Sequence, residues 1–175
     1  MKLTRLFFSL VFVVELLSLP RVAVADPVPE YQMKAAYLYN FATLITWPTH
    51  ANKAVRLCVL GSDSFGGALQ QLTRNSSSNT RITLSYLANM NNVQDCQILF
   101  IDVSALDNPA EMLKKLEKMP VLTVTDNLDL FNAGAMIGLF LDNKRLVFDV
   151  NYAQAKNAQL SISAKLLRVA RKVMQ

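Results

Sequence analysis

Apolar residues from position 30 onward follow first a helical period, then strand-length runs separated by polar turns. Ala35, Leu38, Phe41, Ala42 and Ile45 recur at spacings of three and four, with Tyr37 and Leu44 widening the face, which predicts an amphipathic helix. Trp47-Pro48 ends it, because a residue before proline is pushed out of the α region. Arg56 to Leu60 is a short apolar run closing on Gly61 and predicts a strand, and a helix over Phe65 to Leu72 follows cap-type Ser62, Asp63 and Ser64. A serine-rich turn at 75–79 leads to an alternating strand, Arg81 to Leu87, with Ile82, Leu84 and Tyr86 on one face. Ile98 to Ile101 and Val121 to Val124 read as fully buried strands. Between them, Asn108-Pro109 opens a helix whose inner face is Met112, Leu113 and Leu116.

Asp126 to Ala133 predicts a helical turn. Ala135 to Leu141 and Arg145 to Val150 flank Asp142-Asn143-Lys144 and predict a hairpin. Asn151 is placed to cap a short helix. Ser161 or Ser163 is placed to cap a last one, with Leu166, Leu167, Val169, Ala170 and Val173 as its apolar side. Strands alternating with helices and ending in a hairpin predict a single α/β domain. Its expected sheet is mixed but mostly parallel, flanked by helices, with an antiparallel C-terminal hairpin and helix.

The first 25 residues change the compartment. Lys2 and Arg5 precede an apolar run from Leu6 to Leu19, and Ala23-Val24-Ala25 offers the small-x-small pattern of a cleavage site. The run is shorter than the roughly 20 residues a bilayer span needs, and Glu15 interrupts it. The expectation is a signal peptide over 1–25, cleaved after Ala25, leaving 26–175 as one exported, periplasmic domain. The remaining chain carries fifteen Lys and Arg against twelve Asp and Glu. These cations read as dispersed rather than striped, so no nucleic-acid footprint is expected.

Cys58 and Cys96 are the two cysteines. In an exported chain such a count reads as one structural disulfide, the alternative being two free buried thiols. The spacing excludes a C-x-x-C redox pair, and one histidine with scattered carboxylates makes no metal constellation. Gly61-Ser62-Asp63-Ser64-Phe65-Gly66 follows a strand, but Ser62 stands where a nucleophile elbow wants glycine. A Ser64 triad would have to recruit His50, the one histidine, from a loop. The same loop lacks the Lys-Ser or Lys-Thr of a phosphate-binding loop. Capping explains these serines without chemistry, and no catalytic, cofactor or metal residue is expected.

Lys34-Ala35-Ala36-Tyr37-Leu38-Tyr39-Asn40-Phe41 with Trp47-Pro48 resembles the opening of the YfiR family of periplasmic regulators. Cys58-Val59-Leu60-Gly61, Cys96 to Ile101, Val121 to Asp126, Gly134 to Gly138, Phe148 to Asn151 and Ile162 to Ala170 continue the resemblance in order. It implies a non-catalytic repressor that binds the periplasmic sensor region of an inner-membrane diguanylate cyclase and lowers cyclic di-GMP and biofilm formation. It further implies a homodimer and an outer-membrane lipoprotein that sequesters the repressor. The best-studied kind of member has a second, late cysteine pair that this chain lacks, so any redox dependence falls to Cys58 and Cys96. Contact candidates are Tyr37, Phe41, Trp47, Asp149, Asn151, Lys165 and Arg168, since interfaces favour aromatic and arginine anchors. The competing reading is a periplasmic small-ligand sensor with a pocket lined by Tyr37, Phe41 and Phe148.

Overall fold

A computed structural model describes residues 29–48, 54–74, 80–102, 104 and 108–175. The expected signal segment, His50 and the serine-rich turn at 75–79 lie outside the described residues. Helix α1 (Glu30–Leu44) runs into a two-residue strand β1 (Ile45–Thr46), then β2 (Ala54–Leu60), α2 (Ala68–Arg74) and β3 (Arg81–Leu87). A 3-10 turn, Val93–Asp95, leads to β4 (Ile98–Ile101), α3 (Pro109–Leu116), β5 (Leu122–Thr125) and α4 (Leu128–Asn132). The hairpin β6 (Ile137–Asp142) and β7 (Arg145–Asn151), then α5 (Tyr152–Asn157), β8 (Ser161–Ile162), α6 (Ala164–Val169) and β9 (Lys172–Met174) complete the chain.

Seven strands form one sheet in the order β3-β2-β4-β5-β6-β7-β9. Pairing is parallel from β3 to β6, antiparallel between β6 and β7, and parallel again between β7 and β9. The mostly parallel sheet with its late hairpin is the architecture the sequence predicts. Alternation along β2 explains the layers. Leu57 and Val59 join the apolar cluster that α1, α2, α5 and α6 cover, whereas Cys58 and Leu60 join a second one under α3 and α4.

After β2 the chain crosses one face through α2, and after β4 it crosses the other through α3. Neighbouring strands that send their connections to opposite faces leave a crevice beyond their carboxyl ends, where doubly wound sheets bind ligands. Here that crevice is bounded by the segments after Leu60 and Ile101.

Three local features depart from the sequence expectation or sharpen it. The second helix starts at Ala68 rather than Phe65, because Gly66 and Gly67 take positive φ (55° and 89°), which stops a helix from running through them. The hairpin turns on Asn143 and Lys144, both at positive φ (47° and 63°), the conformation of a two-residue type I′ loop. The last helix ends at Val169, and Val173 belongs to β9, not to a helical face. Of its apolar side, Leu166 is buried and Leu167 packs partly buried against the same apolar cluster, while Val169 is 67% exposed. Ser163, not Ser161, is its cap, accepting from Leu166 N at 3.2 Å. Ser161 instead sits in β8, which pairs with β1 as a separate two-stranded sheet.

Cys58 and Cys96 are bonded, with their Cα atoms 5.9 Å apart. The bond ties Cys58 of β2 to Cys96, two residues ahead of β4, inside the second apolar cluster. Closing a loop across a sequence separation of 38 stabilises by about 4 kcal/mol on the chain-entropy model. Replacing both cysteines by alanine is expected to lower unfolding free energy by about 2–4 kcal/mol. Urea titration of the oxidised protein against the double variant checks this.

Candidate functional site

Lys34 lies on the first turns of α1, at a position whose helical spacing would suit an apolar residue, and it is only 3% exposed. Its ammonium donates to Asp126 Oδ2 at 2.6 Å and pairs with Glu30 one turn earlier. It also stands 4.2 Å from the centroid of the Tyr31 ring, a cation–π contact. Tyr31 Oη donates to the same Asp126 oxygen at 3.1 Å. Asp126 follows β5 directly, so its carboxylate fixes the start of α1 over the carboxyl ends of the central strands. The Tyr31 ring stands edge-on to Phe65, which stands edge-on to Phe100 of β4. Burial would lower the Lys34 pKa, but its bonds to Asp126 and Glu30 outweigh this and raise it.

Beside this cluster lie the segments that bound the crevice. Asp102, the residue after β4, is buried and accepts from Ser64 Oγ at 3.0 Å and from Ser104 N at 2.9 Å. Burial pushes its pKa up, yet the bonds from Ser104 and Ser64 and the charge of Lys34 hold it below the ordinary carboxylate value. Ser62 and Ser104 hydroxyls lie 2.9 Å apart, and Ser62 N donates to Ser104 Oγ at 3.3 Å. Burial also raises the pKa of Tyr31 while the neighbouring Ser64 hydroxyl acts in the opposite direction, so the two halves of the cluster adjoin. Glu30 and Asp126 thus pair with one ammonium, whose charge is also felt by the Asp102 carboxylate. Ser62, Asp63 and Ser104 form an exposed rim of hydroxyls and a further acid.

That rim extends to β3. Gln70 Nε2 donates to Tyr86 Oη at 2.6 Å. The Tyr86 pKa is pushed up to about 12, by burial first and then by the charge of Asp63. Ser64 bonds directly to a carboxylate, with no imidazole between them. The triad expectation required His50, which lies outside the described residues.

The sequence matches the family model described as YfiR/HmsC-like over residues 31–171. The chain belongs to the YfiR/HmsC-like family. At family level this is a group of periplasmic, non-enzymatic regulators of the diguanylate cyclase pathway. No curated protein matches the sequence. Among solved structures, the chain is similar to a conserved domain protein from Vibrio cholerae, with a TM-score of 0.54 and 11% identity. That alignment covers 83% of this chain and 60% of the other. It is also similar to an ABC domain in complex with L-Trp from Streptococcus pneumonia, with a TM-score of 0.53 and 7% identity, over 82% of this chain and 60% of that one. At such identities the likeness is one of fold, and this chain spans about 60% of either structure.

The family's opening motif supplies Lys34, and the motif ending in Asp126 supplies its partner, so two motifs separated by 92 residues meet in one ion pair. Tyr31, Asp102 and Ser104 were not singled out by sequence reasoning. Asp102 and Asp126 share one usable signal: each is the acid immediately after a buried parallel strand, where the crevice must lie.

The seven contact candidates fall into different settings. Phe41 is fully buried, and Trp47 is buried with its indole N–H donating to Gln97 O at 3.0 Å. Tyr37 is half-buried, its hydroxyl donating to Leu146 O at 3.4 Å. The rings of Tyr37, Phe41 and Phe148 pack into one another at 5.5–6.1 Å, filling the space where the sensor reading placed a pocket. Asp149 is buried against Arg171, which donates from Nε to Oδ1 at 2.9 Å and from Nη2 to Oδ2 at 2.6 Å. Asn151 caps α5, accepting from Gln154 N at 3.2 Å. Lys165 and Arg168 are exposed on α6.

Two outcomes follow from this geometry. Asp126→Asn leaves a buried ammonium with one carboxylate fewer and is expected to cost about 3 kcal/mol, most of it recovered when Lys34→Met is added. Chemical denaturation of both variants measures it. The Tyr86 phenol is expected to ionise near pH 12 and to move toward its ordinary value in Asp63→Asn, read by ultraviolet titration. The stability linked to its proton is whole below the ordinary value of 10.0 and is lost as pH rises toward about 12.

Proposed function

We propose that the chain is a non-catalytic regulator, exported to the periplasm and cleaved after Ala25. It binds the periplasmic sensor region of an inner-membrane diguanylate cyclase and holds that enzyme inactive. Cyclic di-GMP and biofilm formation fall as a result. The observation that carries this reading is the family match across residues 31–171. A homodimer, and an outer-membrane lipoprotein that sequesters the repressor, belong to the same proposal.

The crevice chemistry supports a binding rather than a reacting surface. Its ammonium, carboxylates and hydroxyls are bonded to one another, which preorganises a rim that needs no further partner to hold its shape. The exposed part, Ser62, Asp63 and Ser104, is hydroxylated and acidic. It suits a partner surface bearing lysine, arginine or amide donors.

Deleting the gene is expected to raise intracellular cyclic di-GMP, measured by mass spectrometry of cell extracts. The exported protein should reverse the rise, and a version lacking residues 1–25 should not. Unchanged cyclic di-GMP across growth conditions would remove the repressor reading.

A further inference from the structure

The side of the sheet under α3 and α4 is left open at one end. Ile137 and Leu139 of β6, with Leu146, Phe148 and Val150 of β7, belong to the apolar cluster of the opposite side. Alternation therefore turns Gly138, Phe140 and Asp142, and across from them Asp149, Val147 and Arg145, toward the α3–α4 side. Lys172 of β9 is the register partner of Asp149 and joins them. Helix α4 lies over β5 and β6, and α5, which follows β7, packs through Ala155 into the opposite cluster. Among the described residues no helix runs over β7 and β9 on this side, and Arg145 and Lys172 are exposed there. Neighbouring strands lie about 4.8 Å apart, so the open strip from β6 to β9 is about 10 Å wide, the diameter of one α-helix.

The floor of this strip is flat and held in place. The Phe140 ring lies over Gly138, where a Cβ would collide with it, and packs edge-to-face with Phe131 of α4 at 5.7 Å between centroids. Val147 is its cross-strand partner. Arg171, the residue ahead of β9, reaches across to donate to both Asp149 oxygens. Its guanidinium stands 5.5 Å from the centre of the Phe140 ring and 3.8 Å from Asp142 Oδ2, yet its side chain is still 39% exposed. Leu128 lies three residues before Phe131 on the same side of α4. It is 57% exposed and walls the strip on that flank.

The charges on the strip are not evenly spent. Its two acids, Asp142 and Asp149, both have their cation in Arg171. Arg145 and Lys172 form no ion pair among the described residues.

We infer that this strip is a docking surface for an acidic amphipathic helix of a partner protein. Interface centres favour aromatic residues and arginine, and Phe140 and Arg171 form the centre here. A helix laid beside α4 would set its aliphatic stripe on Leu128, Phe140 and Val147 and its carboxylates against Arg145 and Lys172. It would complete the helical layer that stops at α4. Arg171 is already fixed by two carboxylates, so contact costs it little side-chain freedom. A second copy laid face to face would instead set exposed cations against exposed cations. The crevice rim at Ser62 and Asp63 has the opposite sign and belongs to other strands, so the inference goes beyond the reading above.

The test uses the isotope-labelled protein purified from the periplasm and two synthetic helical peptides. Both carry a leucine stripe, flanked in one by glutamates and in the other by lysines. Amide resonances of Phe140, Val147 and Lys172 are expected to shift on adding the glutamate peptide. The lysine peptide should bind about tenfold more weakly or worse, and Arg145→Glu with Lys172→Glu should reverse that preference. Leu128→Ser should weaken binding partially, and Asp63→Lys, on the crevice rim, should leave it intact. Absence of binding, equal binding of the two peptides, shifts confined to other surfaces, or indifference to the double charge reversal would overturn the inference. A dimer that Arg145→Glu with Lys172→Glu dissociates would equally overturn it, by giving the strip to a second copy. No cyclase is present, so failure of the repressor reading and failure of helix docking are read separately.

Discussion

A buried ammonium cannot be left without anions, and that constraint organises the top of this molecule. Removing a lysine from water costs several kcal/mol unless carboxylates and hydrogen bonds replace the solvent. Lys34 meets that cost with Asp126, Glu30 and the face of Tyr31. The consequence is positional. Helix α1 precedes the sheet in sequence and could pack in many registers on an apolar surface, because apolar contact has little directionality. The ion pair selects the one in which the first turns of α1 sit over the end of β5. Tyr31 then reaches Phe65 and Ser64, and Ser64 reaches Asp102, so the crevice inherits its shape from a single charged contact.

The hydrophobic pattern made the sheet and its layers legible because parallel strands buried on both faces read as short unbroken apolar runs, as at Ile98 to Ile101. The pattern failed where one residue had two compatible readings. Leu166, Leu167, Val169, Ala170 and Val173 keep a helical spacing, yet the helix stops at Val169. What decides this is Asp149. A buried carboxylate on β7 needs a cation, Arg171 supplies it in bidentate form, and the following residues are thereby laid against β7 as a strand. No local window contains both residues.

The site was legible as motifs and illegible as a cluster, for the same reason. Lys34 and Asp126 stand in separate blocks of the family pattern, and Lys34 looks like an ordinary charged residue on an otherwise apolar helix. Its burial becomes intelligible only when the strand order brings Asp126 beneath it. The aromatic candidates erred in the opposite direction: Phe41 and Trp47 have the composition of contact residues, but their rings are used to close the core and the exit of α1.

The bond between Cys58 and Cys96 encloses α2, β3 and the turn before β4 in one covalent ring. Peptide cleavage anywhere inside that ring opens it without releasing a fragment. The two pieces stay joined through sulfur, and β3 keeps its seven-residue pairing with β2. In a family that works in the periplasm, the edge of the sheet is thus the part that survives a nick best. A single cut there yields a clipped molecule that migrates as one species until its disulfide is reduced.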